Sequence, residues 1–250
     1  MVMINFNGKD LSSDIRVTDV KRPILPPSLI TSSTIVGRPG AFLFYKQHGS
    51  YTIPVDFMII EKQQTALRQK IRSLAEKLDT LEPAPLIFKD EPDKYINAIV
   101  SDDSELSETL AIGSGTINFF CPDPYWYAVK DDVIVKTAPG NYEFARKGTA
   151  ESYPLIEIKG RNSGGKITIS DGNNQMTFDG SLGDGETLVL DTDLITAYII
   201  KIDGKTISVM DKLDTLDFPV LQPKTANLSV TTSSGATVSN VKITCRSRWK

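Results

Sequence analysis

Two prolines in three residues, in the run Cys121-Pro-Asp-Pro-Tyr-Trp-Tyr127, end a strand-like stretch near the midpoint of the chain and force it out of its sheet. Each proline fixes φ and removes an amide donor. Pro124 also pushes Asp123 away from helical geometry. The three aromatic rings that follow need a surface to pack on. The segment therefore reads as a corner that closes one domain and seats its exit, made by Pro122, Asp123, Pro124, Tyr125 and Trp126. The boundary is expected between Tyr127 and Ala138, with domains over 1–131 and 132–250.

The halves on either side differ in pattern. Upstream, short strand candidates (Met3–Phe6, Ile15–Val20, Leu29–Val36) precede Ala41–Lys46 and Tyr51–Ile60, which read as a hairpin around His48-Gly49-Ser50. Tyr51, Ile53, Val55, Phe57 and Ile59 alternate, so one face of that strand is buried. Pro54 within it lacks a ladder donor and marks an edge or bulge. One helix is expected from Gln63 to Leu81, with Leu67, Ile71, Leu74, Leu78 and Leu81 in a single stripe and Pro83 and Pro85 beyond its end. Such a stripe reads as domain core, with a partner-binding face as the less common use. Strand candidates then resume at Leu86–Phe88, Tyr95–Val100, Leu106–Ile112 and Gly115–Cys121, with the acidic stretch Ser101–Glu105 between the second and third. Downstream, alternating runs recur between Asp-Gly and Gly-Gly turns from Leu155 to Arg246, and Asp203-Gly204 is the strongest hairpin signal of all. The fold class is mainly β with one helix: an α+β N-terminal half and a C-terminal β-sandwich.

Charge and residue types narrow the function. Lys+Arg 28 against Asp+Glu 31 gives a net charge of -3, which argues against a protein built to grip nucleic acid or anionic lipid. The first residues lack a basic segment followed by an apolar core, so no signal peptide is expected. No apolar run approaches the roughly 20 residues that span a bilayer. Two cysteines, Cys121 and Cys245, read as buried apolar thiols rather than a disulfide framework. The single histidine, His48, falls in a turn without a nucleophile or carboxylate spaced for a triad or metal site. Asp171-Gly-Asn-Asn-Gln175 begins like a calcium loop but lacks its sixth-position glycine and closing glutamate. It reads as turn chemistry, as do Asp184-Gly-Glu186 and Asp191-Thr-Asp193. No catalytic residue, metal or cofactor is expected, and the role is structural or binding rather than enzymatic.

The order of features carries a resemblance across nearly the whole chain. Phe57-Met-Ile-Ile60, the helix, Pro85-Leu-Ile-Phe88, the acidic turn Asp90-Glu-Pro-Asp93, Lys94–Val100 and the exit Phe119–Tyr125 follow one another in the N-terminal half. Phe218–Pro223, Asn227–Val230 and Lys242–Trp249 close the C-terminal half. This ordered set resembles the siphophage distal tail protein family. Lys224-Thr225 departs from it, since a glycine turn is expected after Pro223.

The resemblance implies an N-terminal β-sandwich or barrel domain that assembles as a hexameric ring at the distal end of the tail tube. It implies a C-terminal galectin-like sandwich, similar to carbohydrate-binding modules. Implied partners are the tail tube protein and the tail-tip, baseplate or receptor-binding proteins, with DNA and the tape measure protein only in transit through the channel. The implied setting is the virion of a phage of Gram-positive bacteria, assembled in the host cytoplasm without membrane insertion. Beside it stand two expectations about residues. The helix and the segment after it, with Leu67, Ile71, Leu74, Leu78, Pro85, Phe88, Pro92 and Tyr95, form an arm that embraces the next subunit. Tyr142 and Phe144 are candidate sugar contacts in an alternative reading, a module recognising host cell-wall polysaccharide.

Overall fold

The computed structural model describes residues 3–101, 106–109 and 111–250; most of the acidic stretch, residues 102–105, lies outside them. Chain contacts divide the protein into two compact units, Met1–Val129 and Lys130–Trp249.

The first unit runs β1 (Ile4–Phe6), β2 (Lys9–Asp10), β3 (Arg16–Val20), β4 (Ser28–Ser33), β5 (Phe42–His48), β6 (Tyr51–Ile60), α1 (Gln64–Leu78), β7 (Ala84–Phe88), β8 (Lys94–Ser101), β9 (Leu106–Thr109), β10 (Ile112–Cys121) and β11 (Trp126–Ala128). Its main sheet has the order β2-β1-β7-β8-β10-β6-β3. The alternation in β6 does what it dictates: Ile53, Val55, Phe57 and Ile59 are buried, and they meet Phe6, Leu86, Phe88, Ile96, Ile117 and Phe119 in one core. Pro54 fits because its carbonyl turns away from β10 to accept the Lys21 N–H at 3.2 Å, just past the last β3 pairing, Val20↔Val55. The missing amide therefore breaks no ladder bond.

Two expectations are corrected here. β5 does not pair with β6, because β10 takes one edge of β6 over ten residues, from Tyr51↔Cys121 to Ile60↔Ile112, and β3 takes the other from Val55 to Met58. Instead Pro23, Pro26 and Pro27 lead the chain out, and β5 returns antiparallel on β4 as a separate two-stranded sheet. The helix stops at Leu78, where Asp79 turns extended (φ -71, ψ 110), so Leu81 is not in the stripe and stands 97% exposed.

The second unit contains β12 (Val133–Lys136), β13 (Gly140–Ala145), β14 (Leu155–Asn162), β15 (Ile167–Ser170), β16 (Gln175–Phe178), β17 (Thr187–Asp191), β18 (Thr196–Ile200), β19 (Thr206–Ser208), β20 (Thr225–Thr232) and β21 (Ala236–Thr244). A sheet of order β12-β21-β14-β17-β18-β19 and one of order β13-β20-β15-β16 form a β-sandwich. Ile156, Ile158, Leu190 and Ile243 from the first meet Ile169, Phe178, Leu228 and Val230 from the second. Asp203-Gly204 makes the β18–β19 hairpin, with Gly204 at φ 81. At the β14 bulge, a Cβ on Gly160 would lie 2.0 Å from the Thr237 carbonyl oxygen, so only glycine fits.

Candidate assembly surface

The domain exit is a packed corner. Asp123 accepts the Tyr125 N–H through Oδ1 at 3.1 Å and the Tyr127 hydroxyl through Oδ2. Trp126 leans on Phe88 with ring centroids 5.9 Å apart, and Tyr127 stacks on Tyr95 at 5.7 Å. Cys121, buried at the end of β10, has its thiol pushed up to about 12 by burial. Burial likewise raises the Tyr51 hydroxyl well above its ordinary value, opposed by a hydrogen bond from Trp126. His48 is no loop tip: it ends β5, half-buried, edge-on to Tyr125 at 6.1 Å.

The expected arm residues do not form a free arm. Leu67, Leu74 and Phe88 are buried in the core of their own unit, with Ile71 and Leu78 packed against it. Pro85 and Pro92 are exposed between these anchored neighbours. The reason is periodicity: the α1 stripe meets β6 and β10, while Ala84, Leu86 and Phe88 alternate inward from β7.

The protruding element is the β4–β5 hairpin, which sequence reading missed because it paired β5 with the wrong strand. Every residue of β4, and all of β5 but His48, is exposed. They include Leu29, Ile30, Leu43, Phe44 and Tyr45, with Phe44 67% exposed. A two-stranded ribbon in water is marginal by itself, and apolar side chains on both of its faces mark an interaction surface. At its base Arg22 pairs with Asp90 and lies 4.8 Å over the Phe88 ring, pinning the chain where it leaves the domain.

A second apolar feature lies on the same unit. Between α1 and the sheet runs a cavity of about 350 Å³, lined by Phe57, Ile59, Ile71, Leu74, Ala75, Leu78, Asp79, Thr80, Val100, Leu106 and Ile117. The Thr80 hydroxyl oxygen is buried there without a hydrogen-bond partner among the described residues.

The second unit offers no aromatic platform at the expected sugar positions, and the turn carboxylates of Asp171, Glu186 and Asp191 are engaged. Tyr142 is buried, donates its hydroxyl to the Ala138 carbonyl and has Lys136 over its ring, while Phe144 packs against the core. Both rings point inward because Tyr142 and Phe144 share one face of β13, which is held to β20 across six residues. Asp171 spends its oxygens on the amides of Asn173, Asn174 and Val220. Burial would raise this carboxyl, but those backbone bonds outweigh it and hold it below its ordinary value. Asp191 is forked by Arg246 at 2.7 and 2.8 Å, and Glu186 is held by Lys201 at 2.7 Å. Among the described residues no group of three or more His, Cys, Asp or Glu could hold a metal ion, and no helix is long and apolar enough to cross a membrane.

Comparison with known proteins fits this architecture. Residues 10–121 match the family model of the phage tail protein RIFT-related domain. The distal tail protein of Bacillus phage SPP1 is 25% identical over 194 residues, covering 74% of this chain and 75% of that protein. The crystal structure of the SPP1 Dit protein, described as a paradigm of the hub adsorption apparatus in Gram-positive-infecting phages, superposes with a TM-score of 0.81. That likeness covers 100% of both chains at 17% identity. A chain of the phage P2 baseplate in its activated conformation with Ca gives a TM-score of 0.52 at 10% identity, covering 100% of this chain and 98% of that one. The matched N-terminal domain followed by a β-sandwich defines the class, a two-domain phage tail protein. Within that class the chain resembles the siphophage distal tail proteins, in sequence over 74% of its length and in fold over all of it.

Proposed function

We propose that this protein is the structural hub at the distal end of a siphophage tail, assembling as a hexameric ring that joins the tail tube to the tip or baseplate. The observation that carries the reading is the β4–β5 hairpin, apolar and exposed on both faces in a domain whose own core forms without it. A ring needs one heterologous contact repeated until the rotation closes. An unpaired apolar ribbon that reaches a neighbour supplies it and hides its own edges. The tail tube protein lies on one side and tail-tip or receptor-binding proteins on the other. DNA and the tape measure protein pass through the channel, and a net charge of -3 suits a passage that must not arrest DNA. The role is structural rather than enzymatic and is exercised in the virion.

Light scattering across a concentration series tests this. A sixfold species, or its stacked multiple, is the expected result. A monomer at every concentration, with or without tube protein as a template, overturns it.

A further inference from the structure

We propose that the groove between α1 and the β6–β10 sheet is the seat for the β4–β5 hairpin of a second copy of this chain. The inference rests on the ring reading and deepens it by naming where the hairpin docks.

Shape and polarity point there first. A cavity of about 350 Å³ falls in the range of pockets that engulf a ligand, ~300–1,000 Å³, so it accommodates whole side chains rather than a grazing contact. Its walls are Phe57, Ile59, Ile71, Leu78, Val100 and Ile117, which suit Ile30, Leu43 and Phe44 of the hairpin. Thr80 adds a polar signal: a hydroxyl buried without a partner is costly, and a strand laid along the groove brings backbone N–H and C=O groups that satisfy it.

Charge names the occupant. From Val20 to Val55 there is no Asp or Glu, while Lys21, Arg22, Arg38 and Lys46 contribute +4. With a total of -3, the rest of the chain therefore carries -7. Lys21 and Arg22 are engaged by Asp56 and by Asp90 and Glu91 at the base, which leaves Arg38 and Lys46 as the cations of the hairpin itself. The groove ends at the C-terminus of α1, where the helix dipole is negative and Asp79 and Glu82 are exposed. Lys77, the one basic residue of the last turn, is occupied by Asp14, and Lys9 donates to the Glu76 carbonyl at 3.3 Å, so the negative end is carried by Asp79 and Glu82. A basic, apolar ribbon thus meets an apolar groove with an acidic end. Each copy carries one of each, so the contact is heterologous and propagates from copy to copy.

Cysteine pairing on the full chain tests the seat. The native thiols are buried and stay inert, so Phe44→Cys and Ala75→Cys chains can be mixed under mild oxidation. Ala75 lines the groove and is exposed. The expected result is a covalent dimer of the two variants at least tenfold above a control pairing of Phe44→Cys with Asn173→Cys. Ala75→Trp, which fills the groove, is expected to weaken assembly tenfold or more while the melting transition of the monomer is kept. A ring of normal mass with no cross-link above the control, or with Ala75→Trp assembling as well as the parent chain, overturns the seat and leaves the ring standing. A chain that stays monomeric in light scattering overturns the ring reading and the seat together.

Discussion

The α1 helix and the β4–β5 hairpin carry similar apolar side chains and put them to opposite use. Leu67 and Leu74 vanish into the core of their own unit, whereas Leu43 and Phe44 stand in solvent. The difference is geometric. A helix with a one-sided stripe can lie on a sheet and cover it. A ribbon with apolar residues on both faces can cover at most one face against its own domain, and this one covers neither. Nor is the exposure a sign of poor local construction. Gly37 and Gly40 supply positive φ of 82° and 89° in the connection, and Gly49 donates its N–H to Pro27 at 2.9 Å across the base. Local structure is complete; only the tertiary cover is missing.

The sharpest way to break this contrast is to truncate one side chain in each element. Leu67→Ala removes a fully buried side chain and is expected to destabilise the dilute monomer by about 3 kcal/mol in denaturant unfolding. Phe44→Ala is expected to cost under about 0.5 kcal/mol in the same measurement, yet to lower association visibly in light scattering. Equal costs in unfolding would mean that the hairpin is packed on its own domain after all.

Charged groups give a second contrast, between a covered carboxylate and an uncovered ammonium. Asp191 takes two hydrogen bonds from Arg246 and one each from the Asp193 and Leu194 amides. The Arg246 hydrogen bonds, opposed by burial, hold its carboxyl below the usual range. A depressed carboxyl stabilises the fold above its unfolded value of about 4 and loses that contribution as pH falls through the lower folded value. Asp191→Asn is therefore expected to cost about 2 kcal/mol at pH 7, with parent and variant converging in stability below that window. Lys46→Glu on the hairpin is expected to leave monomer unfolding unchanged at either pH. An Asp191→Asn chain that keeps the parent's full acid sensitivity would assign that sensitivity to other carboxyls.

What could be read in the sequence follows the same division. Elements that solve their own burial announced themselves: β6 was legible to the residue from its alternation, and the α1 stripe from its helical spacing. The eight strand runs between Leu155 and Arg246 emerged because alternation and Asp-Gly turns agree locally. The misses are relational. Which strand β5 pairs with depends on β10, some 70 positions downstream in the chain, having claimed β6. Tyr142 looked exposed beside Pro139-Gly140, and only its pairing with Leu228 turns the ring inward. The groove was invisible for the same reason, since its lining is drawn from the helix and four strands that the sequence scatters from Phe57 to Ile117.

The smallest expected effect concerns a backbone rather than a cover. Where a glycine turn was expected after Pro223, Lys224 nevertheless adopts φ 70, the left-handed region that glycine enters freely and an L-residue enters at a cost of about 1–2 kcal/mol. The geometry is held from outside: the Lys224 carbonyl accepts the Arg146 N–H at 2.8 Å, and the buried Arg146 guanidinium donates to the carbonyls of Leu221, Gln222 and Ala150. The departure from glycine therefore alters the cost of the turn and not its shape. Lys224→Gly relieves that cost but frees the unfolded chain, so the net expectation is a gain of about 0.5–1 kcal/mol in denaturant unfolding. The same substitution made at Lys46, whose β-strand conformation is ordinary, is expected to bring no such gain. If Lys224→Gly instead destabilised the protein, the lysine side chain would be making a favourable contact that outweighs its strained backbone, and the turn would join the hairpin as a place where local conformation answers to something beyond itself.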